Sequence, residues 1–479
     1  MNRKMIFSVL GRIVSIEGLA LLVPTVVGLL YGEWRAVLAF GSVSVGAILI
    51  GYLTNILTKS HEKTIYAKEG FVIVALGWIV MSAIGAIPFV ISGDITSYVD
   101  AFFETVSGFT TTGASVVTSP EALTHAAHIW RAFTHWIGGM GILVLMVAIF
   151  PDSNGRTIHI MRAEMPGPVI DKIVPKARDT AKILYFMYIG LTLAEVIFLL
   201  FGGLSVFEAF FYSLGTAGTG GFGILSDSIG SYSPYVQWVI TAFMILFGVN
   251  FNLYYLILIK KFRRALRSEE LWVYLGIIAV CTVMIGINIH SLYPTVGETV
   301  RTSVFQVASV ITTTGYSTVN FDAWPTFSKG IIFLLLFTGG CAGSTAGGLK
   351  LSRVIIIAKN VRRHLRMMLH PREVCTVKFE GKPVDESVRH NVSTYFLMYM
   401  LTLAAVFLIV SLQPFTLEEN LTAAISCFNN VGPAFGRIFS GYSEYHPLIK
   451  LVLSAAMLFG RLELYPLMLT FAPRTWTKK

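Results

Sequence analysis

A short motif, Thr-Thr-Thr-Gly, occurs four times in this chain, twice letter for letter and twice in degenerate form. The intact copies are residues 110–113 and 312–315, and the degenerate copies are 217–220 (Ala-Gly-Thr-Gly) and 429–432 (Asn-Asn-Val-Gly). Each copy ends a segment of roughly a dozen residues that is too short to cross a bilayer, and longer hydrophobic runs lie on either side. These segments are 98–112, 204–219, 297–314 and 416–431. The pattern predicts four similar membrane units around one axis.

The copies also agree in the residues around them. The motif glycines, Gly113, Gly220, Gly315 and Gly432, follow one another at intervals of 107, 95 and 117 residues. Ten positions before them stand Phe103, Phe210, Phe305 and Thr422. Further glycines follow at offsets of 25, 28, 24 and 28 residues, namely Gly138, Gly248, Gly339 and Gly460. Each repeat is therefore predicted to contain a helix, a half-helix, a loop and a second helix weakened by a glycine.

Composition places the chain in a membrane. Of 479 residues, 54% are hydrophobic and 13% are charged, and the mean hydropathy is +0.68, which excludes an ordinary soluble protein. Hydrophobic runs of roughly 17–25 residues mark about ten spanning helices. They lie near 10–30, 36–57, 68–92, 128–150, 181–203, 235–259, 271–290, 328–349, 392–412 and 446–471. We predict an all-α integral membrane protein with two N-terminal helices (1–66) and four pore repeats, at 67–160, 161–267, 268–375 and 376–479.

The charge distribution orients this fold. The net charge is +10, and basic residues concentrate in every second connection between the predicted helices, whereas the alternate connections lean acidic. Because cytoplasmic loops are enriched in Lys and Arg, both termini are predicted to be cytoplasmic, and no nucleic-acid partner is expected. The basic stretch 353–372 is consistent with binding to anionic membrane lipid and equally with a plain topogenic tract.

The motif residues suit a cation pathway. A dehydrated cation needs several oxygen ligands, and backbone carbonyls supply them without a full charge that would hold the ion too tightly. Glycine allows the positive φ that turns successive carbonyls toward one axis, and the C-terminal ends of half-helices direct partial negative charge to the same place. A polar turn at a helix contact would explain one copy but not four copies in equivalent places. We predict an ion-conducting pore, with K⁺ as the transported ion.

A glycine-rich stretch interrupts the eighth hydrophobic run. Residues 338–348 contain Gly339, Gly340, Gly343, Gly347 and Gly348, and each glycine costs a helix about 1 kcal/mol relative to alanine. The stretch predicts a broken helix and a flexible loop beneath the pore loops, which makes it a candidate gate. A close contact between helices through small residues is the alternative. A phosphate-binding loop fits poorly, because Leu349 separates the last glycine from Lys350.

Arg461 directly follows Gly460 in the last predicted span, at a level below the pore loops. A charge this deep in a membrane usually faces a cavity or the interior of a bundle. We therefore predict that Arg461 belongs to the gate and raises the barrier for cations. Neutralisation by Glu463 is the alternative, although residues two positions apart do not share a helix face.

Together these motifs resemble the Trk/Ktr/HKT superfamily of K⁺ transporters over nearly the whole chain, and the two additional N-terminal helices favour its TrkH branch. The glycine-rich stretch resembles the intramembrane loop of that family, and Arg461 resembles its pore arginine. The resemblance implies that filter carbonyls come from three residues of each copy. These are Thr111, Thr112 and Gly113; Gly218, Thr219 and Gly220; Thr313, Thr314 and Gly315; and Asn430, Val431 and Gly432. The second and fourth triplets depart from the threonine pattern.

The resemblance also implies ion selectivity and an assembly. In this family a serine in place of the first filter glycine accompanies Na⁺ permeability, so Gly113 implies a preference for K⁺. Members form homodimers with one pore per protomer, gated by a cytosolic ring of TrkA-type nucleotide-binding subunits. No nucleotide-binding domain is recognisable in this sequence, so no nucleotide is expected on the chain itself. The implied location is the bacterial inner membrane.

We therefore expect K⁺ uptake by channel-like conduction, gated by the glycine-rich loop and by a cytosolic subunit. The alternative is alternating-access symport of K⁺ with Na⁺ or H⁺, which requires intramembrane carboxylates and finds mainly Glu195 and Glu463. An enzyme is not expected, because the sequence contains no evident nucleophile–base pair and no HExxH site. The four scattered cysteines imply neither a disulfide framework nor a metal site.

Overall fold

The computed structural model describes residues 3–58, 67–141, 177–373 and 375–476. The described fold is helical, apart from a hairpin of two-residue strands, β1 (Lys378–Phe379) and β2 (Lys382–Pro383). The helices are α1 (Arg3–Ala20), α2 (Leu22–Tyr31), α3 (Trp34–Leu57), α4 (Ala67–Ser92), α5 (Tyr98–Phe109), α6 (His125–Met140), α7 (Ala177–Phe201), α8 (Val206–Gly218), α9 (Pro234–Phe247), α10 (Phe251–Leu258), α11 (Phe262–Ala265), α12 (Glu269–Ile289), α13 (Val296–Ile311), α14 (Thr326–Leu335), α15 (Leu351–Leu369), α16 (Glu386–Val410), α17 (Leu417–Asn429), α18 (Pro447–Arg461), α19 (Tyr465–Phe471) and α20 (Pro473–Trp476).

Six helices of the described chain are long and apolar enough to cross a membrane, and the bent pair α9–α10 makes a seventh. The six are Arg3–Tyr31, Trp34–Leu57, Lys68–Ser92, Asp179–Phe201, Glu269–Leu292 and Glu386–Val410. They coincide with the first, second, third, fifth, seventh and ninth predicted spans. The predicted all-α membrane fold is therefore confirmed.

Two spans that were predicted as continuous helices are broken. The sixth, 235–259, is bent by 90° between α9 and α10. The tenth, 446–471, is interrupted between α18 and α19, where Glu463 and Leu464 have φ values of 58° and 65°. The eighth run stops being helical at Leu335, in agreement with its predicted break. In the fourth, the predicted part at 142–150 lies outside the described residues, as does most of the basic loop at 151–182.

The four predicted half-helices are present as α5, α8, α13 and α17. Each begins at a hydroxyl side chain that accepts a hydrogen bond from the N–H of an acidic residue three positions later. The pairs are Ser97 with Asp100, Ser205 with Glu208, Thr295 with Glu298, and Thr416 with Glu419. The repeat thus extends to the helix-capping residues, which fix where each half-helix starts.

The two N-terminal spans, α1–α2 and α3, attach to the first repeat through Glu33, which lies between α2 and α3. The carboxylate of Glu33 accepts hydrogen bonds from the backbone N–H groups of His125 (2.8 Å) and Ala126 (3.1 Å) at the start of α6. An acidic group stabilises the free N–H groups and the positive dipole end of a helix. The second helix of repeat 1 is therefore capped by a residue outside the repeat.

Candidate functional site

All four half-helices end in the same backbone turn. The residues at this position are Thr111, Thr219, Thr313 and Asn430, and their φ values are 58°, 56°, 56° and 56°. In each loop the N–H of the following residue donates to a carbonyl five positions back, at 2.9–3.0 Å, as in a left-handed helix C-cap. These bonds join Thr112 to Ser107, Gly220 to Gly215, Thr314 to Ser309, and Val431 to Ser426. The sequence copies therefore fold into four copies of one local structure.

This geometry corrects the alignment of the second copy. Thr219 is the counterpart of Thr111, so the counterpart of Gly113 is Gly221, and the pairing of Gly113 with Gly220 was one residue out of register. The second loop equivalent to residues 111–113 is Thr219-Gly220-Gly221, and Gly218 is the last residue of its half-helix. Three glycines near Thr219 left this register open in the sequence.

Burial supports the new register. Phe211, ten positions before Gly221, is 0% exposed, as are Phe103 and Phe305, whereas Phe210 is 40% exposed. A shift of one residue along the helix therefore separates a phenylalanine inside the bundle from one on its surface. In the first three repeats the buried phenylalanine thus fixes the register that the adjacent glycines of the second loop leave open.

The glycines that follow the four turns form a closed ring. Gly113, Gly315 and Gly432 have φ values of 77°, 85° and 102°, which residues with side chains rarely adopt. A Cβ atom on each ring glycine would collide with the backbone of the next loop. The contacts are Gly113 to Gly221 N (2.6 Å), Gly221 to Thr314 O (2.5 Å), Gly315 to Val431 O (2.1 Å), and Gly432 to Thr112 O (2.5 Å). The four loops therefore meet backbone to backbone, in chain order, around one axis.

The second loop has glycine at 218 and 220, where the first loop has Thr110 and Thr112, because α6 packs directly against it. A Cβ on Gly218 would lie 2.2 Å from the carbonyl oxygen of His135, and one on Gly220 would lie 2.4 Å from the His135 ring. The same ring donates from Nδ1 to the carbonyl of Gly108 at 2.8 Å. Glycine is therefore required at 218 and 220 because His135 of the first repeat leaves no room for a side chain there.

The glycine-rich stretch forms a non-helical loop at 336–350, which we call the gate loop. The loop closes on itself, because Gly339 N donates to Leu349 O (2.9 Å) and Leu351 N donates to Gly340 O (3.2 Å). Gly343 and Gly348 have φ values of 71° and 66°, and a Cβ on Gly347 would lie 2.8 Å from the Cβ of Asn430. The predicted broken helix is therefore present and touches the fourth loop of the ring.

Groups from three repeats hold the gate loop. From repeat 2, the backbone at the α9–α10 bend contributes two hydrogen bonds of 3.0 and 3.1 Å. From repeat 3, Glu270 Oε1 accepts from the N–H of Ala342 at 2.8 Å, and Thr313 Oγ1 accepts from the N–H of Gly347 at 2.6 Å. From repeat 4, Arg461 donates to the carbonyl of Thr345 at 2.8 Å. The loop is thus fastened by polar contacts rather than by a helix of its own.

Arg461 joins the gate loop to the first repeat. Besides Thr345, its guanidinium donates to the carbonyls of Gly138 (2.6 Å) and Gly139 (2.7 Å) and to Thr111 Oγ1 (3.3 Å). Glu463 instead forms an ion pair with Arg353, at 2.9 and 2.5 Å. The carboxylate of Glu463 is thus engaged by Arg353, and neutralisation of Arg461 by Glu463 stays an alternative prediction.

Sequence reasoning missed two further groups at the gate loop and one ion pair behind the ring of loops. Lys350, 2% exposed, donates from Nζ to the carbonyl of Ala346, and Glu270 reaches the loop from the start of α12. Arg131 and Glu104 form an ion pair of 2.8 Å, with side chains 1% and 0% exposed. Arg131 also donates to Gly223 O at 3.2 Å, just beyond the second loop. Only Lys350, two positions after the last glycine of the stretch, carried a usable signal.

Comparison with known proteins decides the family. The TrkH model, described as cation transport protein, matches residues 39–285 and 270–478. The chain belongs to the TrkH family. It is 33% identical to "Trk system potassium uptake protein TrkH" of Escherichia coli K12, over 99% of this chain and 100% of that protein. It is 32% identical to TrkG of the same organism, over 97% of each chain.

A solved structure of a relative has the same fold. The crystal structure of the potassium transporter TrkH from Vibrio parahaemolyticus superposes with a TM-score of 0.90, at 29% identity and with 100% of both chains covered. The resemblance noted in the sequence, the membrane fold and the family are therefore confirmed for this TrkH-family chain.

Proposed function

We propose that this chain mediates K⁺ uptake across the bacterial inner membrane by channel-like conduction through its four filter loops. The observation that carries the proposal is the closed ring of loops, in which four identical turns bring backbone next to backbone around one axis. Backbone carbonyls in such an arrangement can replace the hydration shell of a cation. Relatives named potassium uptake proteins support K⁺ as the ion.

The proposed K⁺-binding residues are the three residues of each loop in the corrected register. They are Thr111, Thr112 and Gly113; Thr219, Gly220 and Gly221; Thr313, Thr314 and Gly315; and Asn430, Val431 and Gly432. Because all four ring positions are glycine, no side chain enlarges or blocks the ring at that level.

The gate loop and Arg461 are proposed to close this pathway on its cytoplasmic side. The loop contacts the third and fourth filter loops, and Arg461 ties it to the first. Deletion of several residues among 340–347 should therefore raise K⁺ flux, because a shortened loop cannot reach these partners. Unchanged or lower flux from a normally expressed deletion variant would refute the gate.

The proposed assembly is a homodimer gated by a cytosolic TrkA-type subunit, with both termini in the cytoplasm. The basic helix α15, the hairpin and the start of α12 lie together, since Lys359 contacts both Glu269 and the carbonyl of Lys378. The positive charge of α15 suits the cytoplasmic face and anionic lipid. The relatives' name, Trk system, fits a multi-component transporter.

The first test is ⁸⁶Rb⁺ uptake into liposomes that contain the purified protein alone. Uptake driven by a K⁺ gradient, and blocked by external K⁺ but not by Na⁺, is the expected result. Uptake that requires a proton or Na⁺ gradient would favour symport instead. Uptake that appears only after a cytosolic subunit and nucleotide are added would support the proposed regulation.

The filter is tested by Gly315→Ser. A Cβ at Gly315 would lie 2.1 Å from Val431 O, so the ring must distort and K⁺ uptake or K⁺/Na⁺ preference must change. Gly330→Ser is the matched control in the same repeat, because a Cβ at Gly330 has nothing within 4 Å. Normal uptake and normal ion preference in Gly315→Ser would remove the filter assignment.

A further inference from the structure

The four side chains at the turn position have different partners, although their backbones are alike. Thr111 Oγ1 accepts from Arg461 at 3.3 Å, and Thr219 Oγ1 donates to its own neighbour, Gly218 O, at 2.6 Å. Asn430 Nδ2 donates to Thr112 Oγ1 (3.0 Å) and Met457 O (2.9 Å). Thr313 Oγ1 accepts from the backbone N–H of Gly347 in the gate loop, at 2.6 Å.

The contact between Thr313 and Gly347 is buried and tightly enclosed. Thr313 is 0% exposed, and a Cβ on Gly347 would lie within 2.9 Å of both Asn430 Cβ and Asn429 O. The gate loop is therefore wedged between the third and fourth filter loops, where no larger residue fits at 347. A buried N–H without an acceptor is strongly disfavoured, so the position of Gly347 between the two loops depends on the hydroxyl of Thr313.

We propose that Thr313 is a latch that fastens the gate loop to the third filter loop in the closed state. This inference rests on the proposed function and adds a residue that positions the gate from the filter side. Opening must break the bond between Thr313 Oγ1 and Gly347 N, so the third filter loop loses a contact each time the gate opens. The second loop makes no such bond among the described contacts, so gating disturbs the third filter loop more than the second.

The sequence offers a matched pair of variants for the test. Thr313→Val removes the acceptor but keeps the shape and the branching at Cβ, and Thr219→Val makes the same change at the equivalent turn without a gate contact. If both hydroxyls served only the permeating ion, both variants would have similar effects. Thr313→Ser keeps the hydroxyl and should therefore keep the gate-loop contact of the unmodified protein.

Two readouts separate the latch from conduction. The first is basal ⁸⁶Rb⁺ uptake into liposomes, which should be about tenfold higher in Thr313→Val than in Thr219→Val, the size expected for loss of one buried bond; any cost that both substitutions impose on the filter cancels in this ratio. The second is the rate at which a maleimide labels Cys341, which is buried in the gate loop, with the labelled peptide identified by mass spectrometry. This rate reports loop opening without any ion flux.

The latch predicts faster Cys341 labelling in Thr313→Val and the unmodified rate in Thr219→Val and Thr313→Ser. Equal labelling rates in Thr313→Val and the unmodified protein would overturn it. Faster labelling without uptake in any variant would retain the latch and remove the conduction proposal. If Thr313→Val is not monodisperse, Thr313→Ala replaces it in the same comparison.

Discussion

The second helices of repeats 2 and 3 are both interrupted near the repeated glycine, but the two interruptions differ in length and in support. In repeat 2, residues 248–250 separate α9 from α10 and bend the chain by 90°. In repeat 3, the gate loop takes up residues 336–350. The short bend is held by a helix cap and by one contact from repeat 3: Asn250 caps α10, and the Tyr274 hydroxyl of α12 donates to Ile245 O at 3.1 Å.

This difference in length indicates which of the two interruptions can change its conformation. A three-residue bend between two helices cannot shift without unwinding them, whereas a loop of fifteen residues can exchange its partners while its flanking helices stay. The bend also serves as a seat for the loop, because Cys341 N donates to Gly248 O (3.0 Å) and Phe251 N donates to Gly343 O (3.1 Å). We infer a fixed bend in repeat 2 and a movable loop in repeat 3.

The largest expected effect comes from Arg461→Met. The guanidinium makes a charge-assisted bond to the gate loop at Thr345 O, and such bonds contribute about 2 kcal/mol, so basal ⁸⁶Rb⁺ uptake should rise roughly 30-fold. Loss of a positive charge beside the proposed cation pathway acts in the same direction. Arg461→Lys should give a smaller increase, since an ammonium cannot reproduce the forked contacts to Gly138 and Gly139.

Arg389→Met is the control for charge removal, because Arg389 lies in α16 and pairs only loosely, at 3.9 Å, with Glu386. Its uptake should match that of the unmodified protein. Unchanged uptake in Arg461→Met would mean that the gate loop does not depend on repeat 4, and the contrast with repeat 2 would lose its main support.

Much of this architecture was predictable because the repeat encodes it locally. A capping hydroxyl followed by an acidic residue starts each half-helix, and a short apolar segment and a turn residue end it, as at Ser97 and Thr111. The density of glycine from Gly339 to Gly348 likewise predicted a loop where hydropathy alone predicted a helix. Each of these signals lies within a few helical turns of the residues whose structure it specifies.

The parts that sequence reasoning missed depend on contacts between distant repeats. The register of the second loop follows from the approach of His135, and the bend after Phe247 carries no mark beyond a single glycine. Lys450 pairs with Asp100 at 2.6 Å across 350 positions, which no local pattern reveals. The K⁺-binding role of the filter residues remains a prediction from chemistry and resemblance.

A smaller increase is expected for Lys350→Met. Its ammonium donates to Ala346 O, the carbonyl next to the one that Arg461 binds, so its loss removes a second tie on the loop. Burial disfavours its charge, and Arg461 and Arg353 repel it while Glu463 and Glu270 attract it, so the net tie is weaker and uptake should rise only about threefold. Equal increases in Lys350→Met and Arg461→Met would mean that the two hydrogen bonds, to Ala346 O and to Thr345 O, form and break together rather than holding the loop independently.

The smallest effect on flux is expected for Tyr274→Phe, which tests the fixed bend directly. The variant removes one hydrogen bond, to Ile245 O in the last turn of α9, and keeps the buried ring in place. Side-chain hydrogen bonds inside membrane proteins contribute about 0.6 kcal/mol on average, so the apparent Tm in detergent should fall slightly while ⁸⁶Rb⁺ uptake stays unchanged. Uptake that rises as far as in Lys350→Met would show that the bend in repeat 2 also moves during gating, because weakening it would then release the seat of the gate loop at Gly248.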